Sequence, residues 1–593
     1  MSDTFRDSTV GVFINILSGG RYLPYPDQRP GWTVPESFLV NTASSSATAT
    51  FVSEKRDPTV PTRKPSREDI TEESQTPARL SEDGPPVPES RRTSLSYAEK
   101  GGKGRYSVNV NMVREETIQD THSGTVIVDW YNDHDPDNPK NWSLNKRLFV
   151  LGLISLLTFS VYIGSAIYTP SIPGIMEHFD VSKTTATLGL SLYVIGYGIG
   201  PLIFSPLSEI PSIGRTPIYM ATLLIFALLQ LPTIFAPNIQ TLLAMRFFAG
   251  FFGSPALATG GASIQDMFPM VKLPYALISW AIAALCGPVL GPTIGGFAAM
   301  KETWRWPIWE LFWIASAAFA ILVFWLPETY AETILLKRAR RLRALTGNPN
   351  LFSESEIKQS QMKTSEVLFE ALLRPIQLMF EPAVLYANIY IGLAYAIFYL
   401  WFEAFPLVYN DIYHFNLGLS GLPFLGLMVS GIITSLGYVA WNYYRVEPEY
   451  RRTGKIIPES RLGVALFASA FIPLSLFMFG WTSRASIHWI VPTIGAALYL
   501  PGLFLLFQSV LVYLPSSYPK YAASILAGND LFRSTVAGCF PLFGTPLYHR
   551  LTIGGGCSML AGLSIALIPG LWILYKYGDR LRARSKYIDP ADL

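Results

Sequence analysis

The chain has 593 residues, half of them hydrophobic and 15% charged, with a formal net charge of +3. Soluble domains carry nearer a quarter charged residues, so an ordinary soluble fold is disfavoured, and so small a net charge gives nucleic-acid binding no electrostatic support. The three cysteines, Cys286, Cys539 and Cys557, cannot form a paired disulfide framework, and no two of the six histidines stand four apart as a helical metal site requires.

Residues 1–145 read as a cytoplasmic, largely disordered tail. Phe5 to Pro30 mixes apolar residues with charge and suggests a short amphipathic element. From Thr42 to Thr117 the chain is rich in Ser, Thr, Pro, Glu and Arg. Such a stretch buries too little apolar surface to offset chain entropy, so disorder is expected. No charged-then-apolar leader opens the chain.

Beyond the tail, apolar runs lie at about 148–170, 187–208, 216–236, 240–263, 273–299 and 306–326. A polar, basic stretch intervenes. Six more runs follow at about 383–409, 419–442, 462–481, 487–513, 521–547 and 553–576. Each is long enough to cross a bilayer. The expected fold is therefore an all-α membrane protein with twelve transmembrane helices in two six-helix bundles. The bundles are 146–330 and 382–577, joined by a central loop at 331–381 and followed by a tail at 578–593. Lys and Arg crowd one set of loops: Arg215, Lys272, the cluster from Lys337 to Arg343, Arg445, Arg451, Arg452, Lys455 and Lys520. The positive-inside rule then places both termini in the cytoplasm. The central cluster either lies on the anionic inner leaflet or is simply the orientation signal.

Four places stand out for mechanism. After the second run, Glu209 precedes Gly214 and Arg215. A carboxylate there is suited to the dipole at another helix's N-terminus, with the start of run eleven near Tyr521 as the expected target. Arg215 is expected to pair with Asp266, closing the cytoplasmic side; the plain alternative is a solvated turn. Arg246 stands inside the fourth run, where a charge is costly and functional by default, although snorkelling is an alternative. Gly287, Gly291 and Gly295 recur every fourth residue in the fifth run, with Pro288, Pro292 and Gly296 among them. They make a smooth, bent face, either for tight packing or for sliding of one half on the other. In the seventh run Tyr395, Tyr399 and Glu403 share a face, with Phe402 beside them. Aromatics around one acid suit a cavity for flat, apolar or cationic ligands.

The stretch Leu207-Ser208-Glu209-Ile210-Pro211-Ser212-Ile213-Gly214-Arg215 resembles the cytoplasmic-loop signature of the major facilitator superfamily. Its spacing resembles the fungal multidrug branch, since the usual form has Asp three residues before Gly-Arg. Asp135-Pro136-Asp137-Asn138-Pro139, Trp304-Arg305-Trp306, Leu326-Pro327-Glu328-Thr329-Tyr330, and Tyr513 with Tyr518, Asn529, Arg533 and Phe540-Pro541-Leu542-Phe543 resemble fungal twelve-span drug:proton antiporters. Phe5-Arg6-Asp7-Ser8 resembles the benomyl, fluconazole and caffeine-resistance type more narrowly. Ser516 is a departure, because many relatives have Asp there. The resemblance implies that the Gly/Pro stretch is the antiporter signature of span five and that Arg246 takes part in proton coupling.

The expected function is proton-coupled efflux of small amphipathic drugs, fungicides or toxic compounds across the plasma membrane, as a monomer in the bilayer. Arg246 cannot itself release a proton, so Glu403 is the expected carrier. No phosphate loop, cofactor site or metal site is written in the chain, and it is not expected to be an enzyme. Export of an endogenous metabolite or polyamine, uptake by symport, and a transporter-like sensor remain as alternatives.

Overall fold

Side-chain caps mark where several membrane-length helices begin. Ser143, Ser182 and Asn238 each accept a hydrogen bond from the backbone N–H three residues on, satisfying a donor that the first helical turn would otherwise leave open. The computed structural model describes residues 2–18, 21–29, 31–33, 125–361, 364–453, 458–518, 521–583 and 585–587. The stretch expected to be disordered, 42–117, lies outside them, as do Lys455 and Lys520.

Spans 1 to 6 are Leu144–Phe179, Lys183–Ser208, Arg215–Ile234, Ile239–Met267, Leu273–Lys301 and Trp306–Trp325. Spans 7 to 10 are Pro382–Asn410, Leu419–Arg452, Leu462–Thr482 and Ile490–Ser517. The last apolar helix, Ala522–Arg582, has 61 residues. At 1.5 Å per residue that is about 90 Å, three times one crossing. Thr552 divides it, with φ 63° and ψ 166° inside an otherwise helical run. Spans 11 (522–551) and 12 (553–582) follow, so the described helices supply twelve crossings in two sets of six. The end carrying Arg215, Lys272 and the central segment is called the basic end below, and the other the far end.

The chain flanking the described gap is built onto the basic end. Helices Ser2–Arg6 and Thr9–Ser18 lead to Pro26–Gln28. Phe5 packs edge-on against Trp325 at the end of span 6, and Ser8 bridges to Pro327. Strand Val126–Ile127 pairs in parallel with Leu351–Phe352 of the central segment. Arg338 of helix Ala331–Thr346 is fully buried. It donates to Asp135 at 2.6 Å and to Asp137 at 2.8 Å, beneath the Tyr131 ring. Burial alone would favour the neutral form of Asp135, but the hydrogen bond and charge of Arg338 outweigh it and hold the carboxyl below its ordinary range. Arg341 reaches Asp27 at 3.0 Å and covers the Tyr25 ring, and Arg343 reaches Glu356.

The described flanks of the tail thus pack on the bundle and the central segment, the short element expected within Phe5–Pro30 among them. Within the basic cluster, Arg338, Arg341 and Arg343 each face an acid of the same chain.

Candidate functional site

The predicted face of span 7 turns inward, toward the other half of the molecule. Tyr395, Tyr399, Phe402 and Glu403 are all buried. The Tyr395 hydroxyl lies 2.8 Å from that of Tyr197 in span 2 and donates to Tyr162 of span 1 at 3.4 Å. Tyr197 donates to Tyr399 at 3.1 Å, and Tyr399 donates to Ser165 at 3.2 Å. Four phenols and a serine therefore form a hydrogen-bonded belt across the junction of the halves. Each phenol carries one proton and can also accept, so neighbouring phenols serve as one another's partners.

Glu403 stands one turn beyond Tyr399, toward the far end. Its Oε1 accepts from Thr187 of span 2 at 3.3 Å, its Oε2 from Thr545 of span 11 at 2.7 Å, and Lys183 approaches Oε2 to 3.1 Å. Lys183 and Thr187 belong to the first half, so this one carboxylate ties the halves together. Beside it lies a cleft of about 90 Å³ lined by Lys183, Pro292, Phe402, Glu403 and Phe424, with Phe402 stacked on Phe424 at 5.3 Å. Drug-sized sites run from about 300 to 1,000 Å³, so this conformation is closed.

Arg246 is fully buried but does not meet Glu403. Its Nε donates to the Gly189 carbonyl at 3.1 Å and its Nη2 to the Gly164 carbonyl at 2.8 Å. The guanidinium lies between the rings of Tyr168 and Tyr193, 4.6 and 4.4 Å from their centroids. Snorkelling is thus excluded. The partner of Glu403 is Lys183, and Arg246 clamps spans 1, 2 and 4 within the first half.

The glycine ladder also finds a different neighbour from the one a sliding surface needs. A Cβ on Gly287 would come 2.8 Å from the Ile163 nitrogen, on Gly291 2.7 Å from the Ile167 nitrogen, and on Gly295 2.6 Å from the Ile167 carbonyl oxygen. All three press on span 1, in the same half. Span 5 meets the other half through other residues, Leu285 against Gly431 of span 8 among them, and by main chain at its far end. There a Cβ on Gly296 would lie 2.7 Å from the Leu417 carbonyl oxygen, a Cβ on Gly421 would meet the Pro292 carbonyl, and Thr293 donates to the Gly421 carbonyl at 2.8 Å. Pro288, one residue after Gly287, is buried inside the span 5 helix.

At the basic end Arg215 pairs with Asp266, Nε to Oδ2 at 2.8 Å. Glu209 is exposed. The carboxylate found on a helix N-terminus is instead Glu328, which accepts from the backbone N–H of Arg215 and of Thr216 at 3.2 Å each, at the start of span 3. Gly214 makes this approach possible. Its φ is +83°, and a Cβ there would sit 2.5 Å from Glu328 Oε2. All these groups belong to the first half, so they do not close one half against the other. The ion pair that does so is Lys272 of span 5 with Glu447 of span 8, at 2.9 Å, joined by Tyr275 and Arg451.

Sequence reasoning missed Tyr162, Tyr197, Lys183, Thr545, Glu447 and Asp530, and named Arg533 for its resemblance alone and not as the partner of Asp530 in span 11. An acid and a base three apart inside an apolar run is a readable signal for that pair. Lys183 offered none, since it reads as an ordinary loop cation.

The family model described as Major Facilitator Superfamily matches residues 154–542. Transporter mfs1 of Schizosaccharomyces pombe is 45% identical over 480 residues, covering 80% of this chain and 90% of that protein. Cycloheximide resistance protein of Candida maltosa is 38% identical, covering 99% of this chain and all of that protein. Fluconazole resistance protein 1 of Saccharomyces cerevisiae is 41% identical, covering 78% and 85%.

Proposed function

Because the chain belongs to the Major Facilitator Superfamily, we propose that it is a proton-coupled drug exporter of the plasma membrane, with both termini in the cytoplasm. Relatives named for resistance to cycloheximide and to fluconazole support efflux of chemically unlike, amphipathic drugs. The observation that carries the coupling is the position of Glu403. It is the buried acid that holds the halves together at the far end, through Lys183 and Thr187.

The chemistry follows from its partners. Ionised Glu403 accepts from two hydroxyls and faces an ammonium. A proton on it removes the charge attraction and occupies one acceptor site. The far end then loses its strongest cross-half contact, the halves part, and the aromatic floor of Phe402, Phe424 and the tyrosine belt opens to the exterior. Substrate leaves as the proton enters. On return the ionised acid recloses that end, and the Lys272–Glu447 pair must open for the next substrate to enter from the cytoplasm. One proton falling through one pH unit supplies about 1.4 kcal/mol, enough for about a tenfold substrate gradient.

The test is fluconazole uptake into inverted vesicles with and without an imposed pH difference. Glu403→Gln is expected to keep fluconazole binding and lose the response to the gradient. A full response in that variant would show that the proton is carried elsewhere.

A further inference from the structure

The proposed cycle takes up a proton near the far end but leaves its release unassigned. By helix rise, Glu403 lies about 32 Å from the basic end of its span and the Tyr395 ring position about 20 Å. A proton passing inward needs a second acid below the tyrosine belt. Span 11 holds one. Asp530 stands about 12 Å from the basic end of its helix, and it is buried among apolar side chains and the belt.

Arg533 and Ser534 both donate to Oδ1 of Asp530. Oδ2 is buried with no hydrogen-bond partner, and so is the Nε of Arg533. One carboxylate oxygen is therefore left open to take a proton. The Arg533 guanidinium lies 5.5 Å from the Tyr395 ring centroid and 5.4 Å from that of Phe507. Apart from Arg533, the titratable group that faces Asp530 is the phenol of Tyr162 in span 1, and Arg533 itself faces Tyr162, Tyr197 of span 2 and Tyr395 of span 7. Gly198 of span 2, in the opposite half, packs on the same turn of span 11: a Cβ there would come 2.5 Å from Ser534 Cβ and 3.6 Å from the main-chain carbonyl oxygen of Asp530. When the halves part at the basic end, this turn of span 11 is uncovered.

We propose that Asp530 is the acid that exchanges the proton with the basic-end face, as Glu403 does with the far face. The inference rests on the proton-coupled reading above. The step is a proton transfer alone. The O–H bond on Asp530 breaks, the proton passes to water at the opened basic end, and the carboxylate left behind is neutralised by Arg533, which keeps its own proton throughout.

The experiment uses the full chain in vesicles, fluconazole exchange as the readout, and pH varied independently on each face. Removing Asp530 alone would leave Arg533 as an uncompensated buried charge, so the main variant is Asp530→Asn with Arg533→Gln, a neutral pair that buried-ion replacements tolerate. This double variant is expected to retain measurable fluconazole exchange, to lose its dependence on basic-end pH, and to keep its dependence on far-face pH. Glu403→Gln is expected to lose the dependence on far-face pH. Wild-type sensitivity to basic-end pH in the double variant would overturn the assignment while leaving proton coupling intact. Loss of exchange altogether would overturn it too, by making the pair structural. A wild-type protein indifferent to pH on both faces would sink the proton-coupled reading itself, and this inference with it.

Discussion

Replacing Gly291 with alanine is the sharpest test of how span 5 is held. The added Cβ would meet the Ile167 nitrogen at 2.7 Å, Ala166 Cβ at 2.9 Å and the Ala166 carbonyl carbon at 3.0 Å. Two of these are backbone atoms of span 1, and no rotamer change moves them away. Ordinary contact begins near 3.4 Å, so the two helices must part by about 0.7 Å, against an overpacking cost of about 1–3 kcal/mol. The parting would also loosen the neighbouring contacts of Gly287 and Gly295. Gly152 in span 1 and Gly437 in span 8 are fitting controls, because a Cβ there meets nothing within 4 Å. At those sites alanine gains up to about 1 kcal/mol of helix propensity instead. The assay is thermal unfolding of the purified protein in detergent. Gly291→Ala should melt below wild type, and Gly152→Ala and Gly437→Ala at or above it. A sliding surface between halves predicts something else: Gly291→Ala of normal stability that fails only in transport. That result, or unchanged stability with full transport, would refute the backbone contact argued here.

The two cross-half ion pairs should act in opposite senses. Lys272→Met weakens closure at the basic end and should widen the distance between spin labels at positions 279 and 443, in a background without native cysteines, whereas Lys183→Met should not. Lys272 is half exposed, so the shift should be small, worth at most about 1 kcal/mol or fivefold in population. Narrowing in Lys272→Met would contradict the assignment. Arg215→Ala and Asp266→Ala should each lower stability, with a coupling of about 0.5–3 kcal/mol in the double-mutant cycle; strict additivity would deny the pair. Arg246→Lys should fail as badly as Arg246→Ala in fluconazole efflux, because an ammonium cannot both stack flat between Tyr168 and Tyr193 and keep a fixed fork on two carbonyls. Recovery of efflux by lysine would reduce Arg246 to a point charge.

The twelve crossings were legible because a bilayer demands a long apolar run for each, and the chain obeys that demand almost without ambiguity. The inward face of span 7 was legible from the spacing of Tyr395, Tyr399 and Glu403. Which groups they would meet was not, since spacing fixes a face and not its neighbour. The glycine ladder shows the same limit. Its four-residue repeat announces that some helix comes close, yet spans 1 and 8 fit that announcement equally well. Glu209 failed for another reason. Glu328, Glu332 and Asp266 share the same end of the first half, and only Glu328 has a glycine of positive φ opposite it to admit a carboxylate against backbone N–H groups. The break between spans 11 and 12, expected between the runs 521–547 and 553–576, falls at Thr552.

The glycine ladder and the tyrosine belt have unequal futures under selection. Contacts between spans 1 and 5 are made by main chain, so no substitution at Gly287, Gly291 or Gly295 can improve them, and drift there is barred. The belt and the floor beside Phe402 are made of side chains on helices that the ladder has already fixed. Phenol, phenyl and hydroxyl groups can be exchanged there without moving a helix axis. A lineage exposed to a new toxic compound can therefore revise what the molecule recognises while the machine that moves it stays as it is.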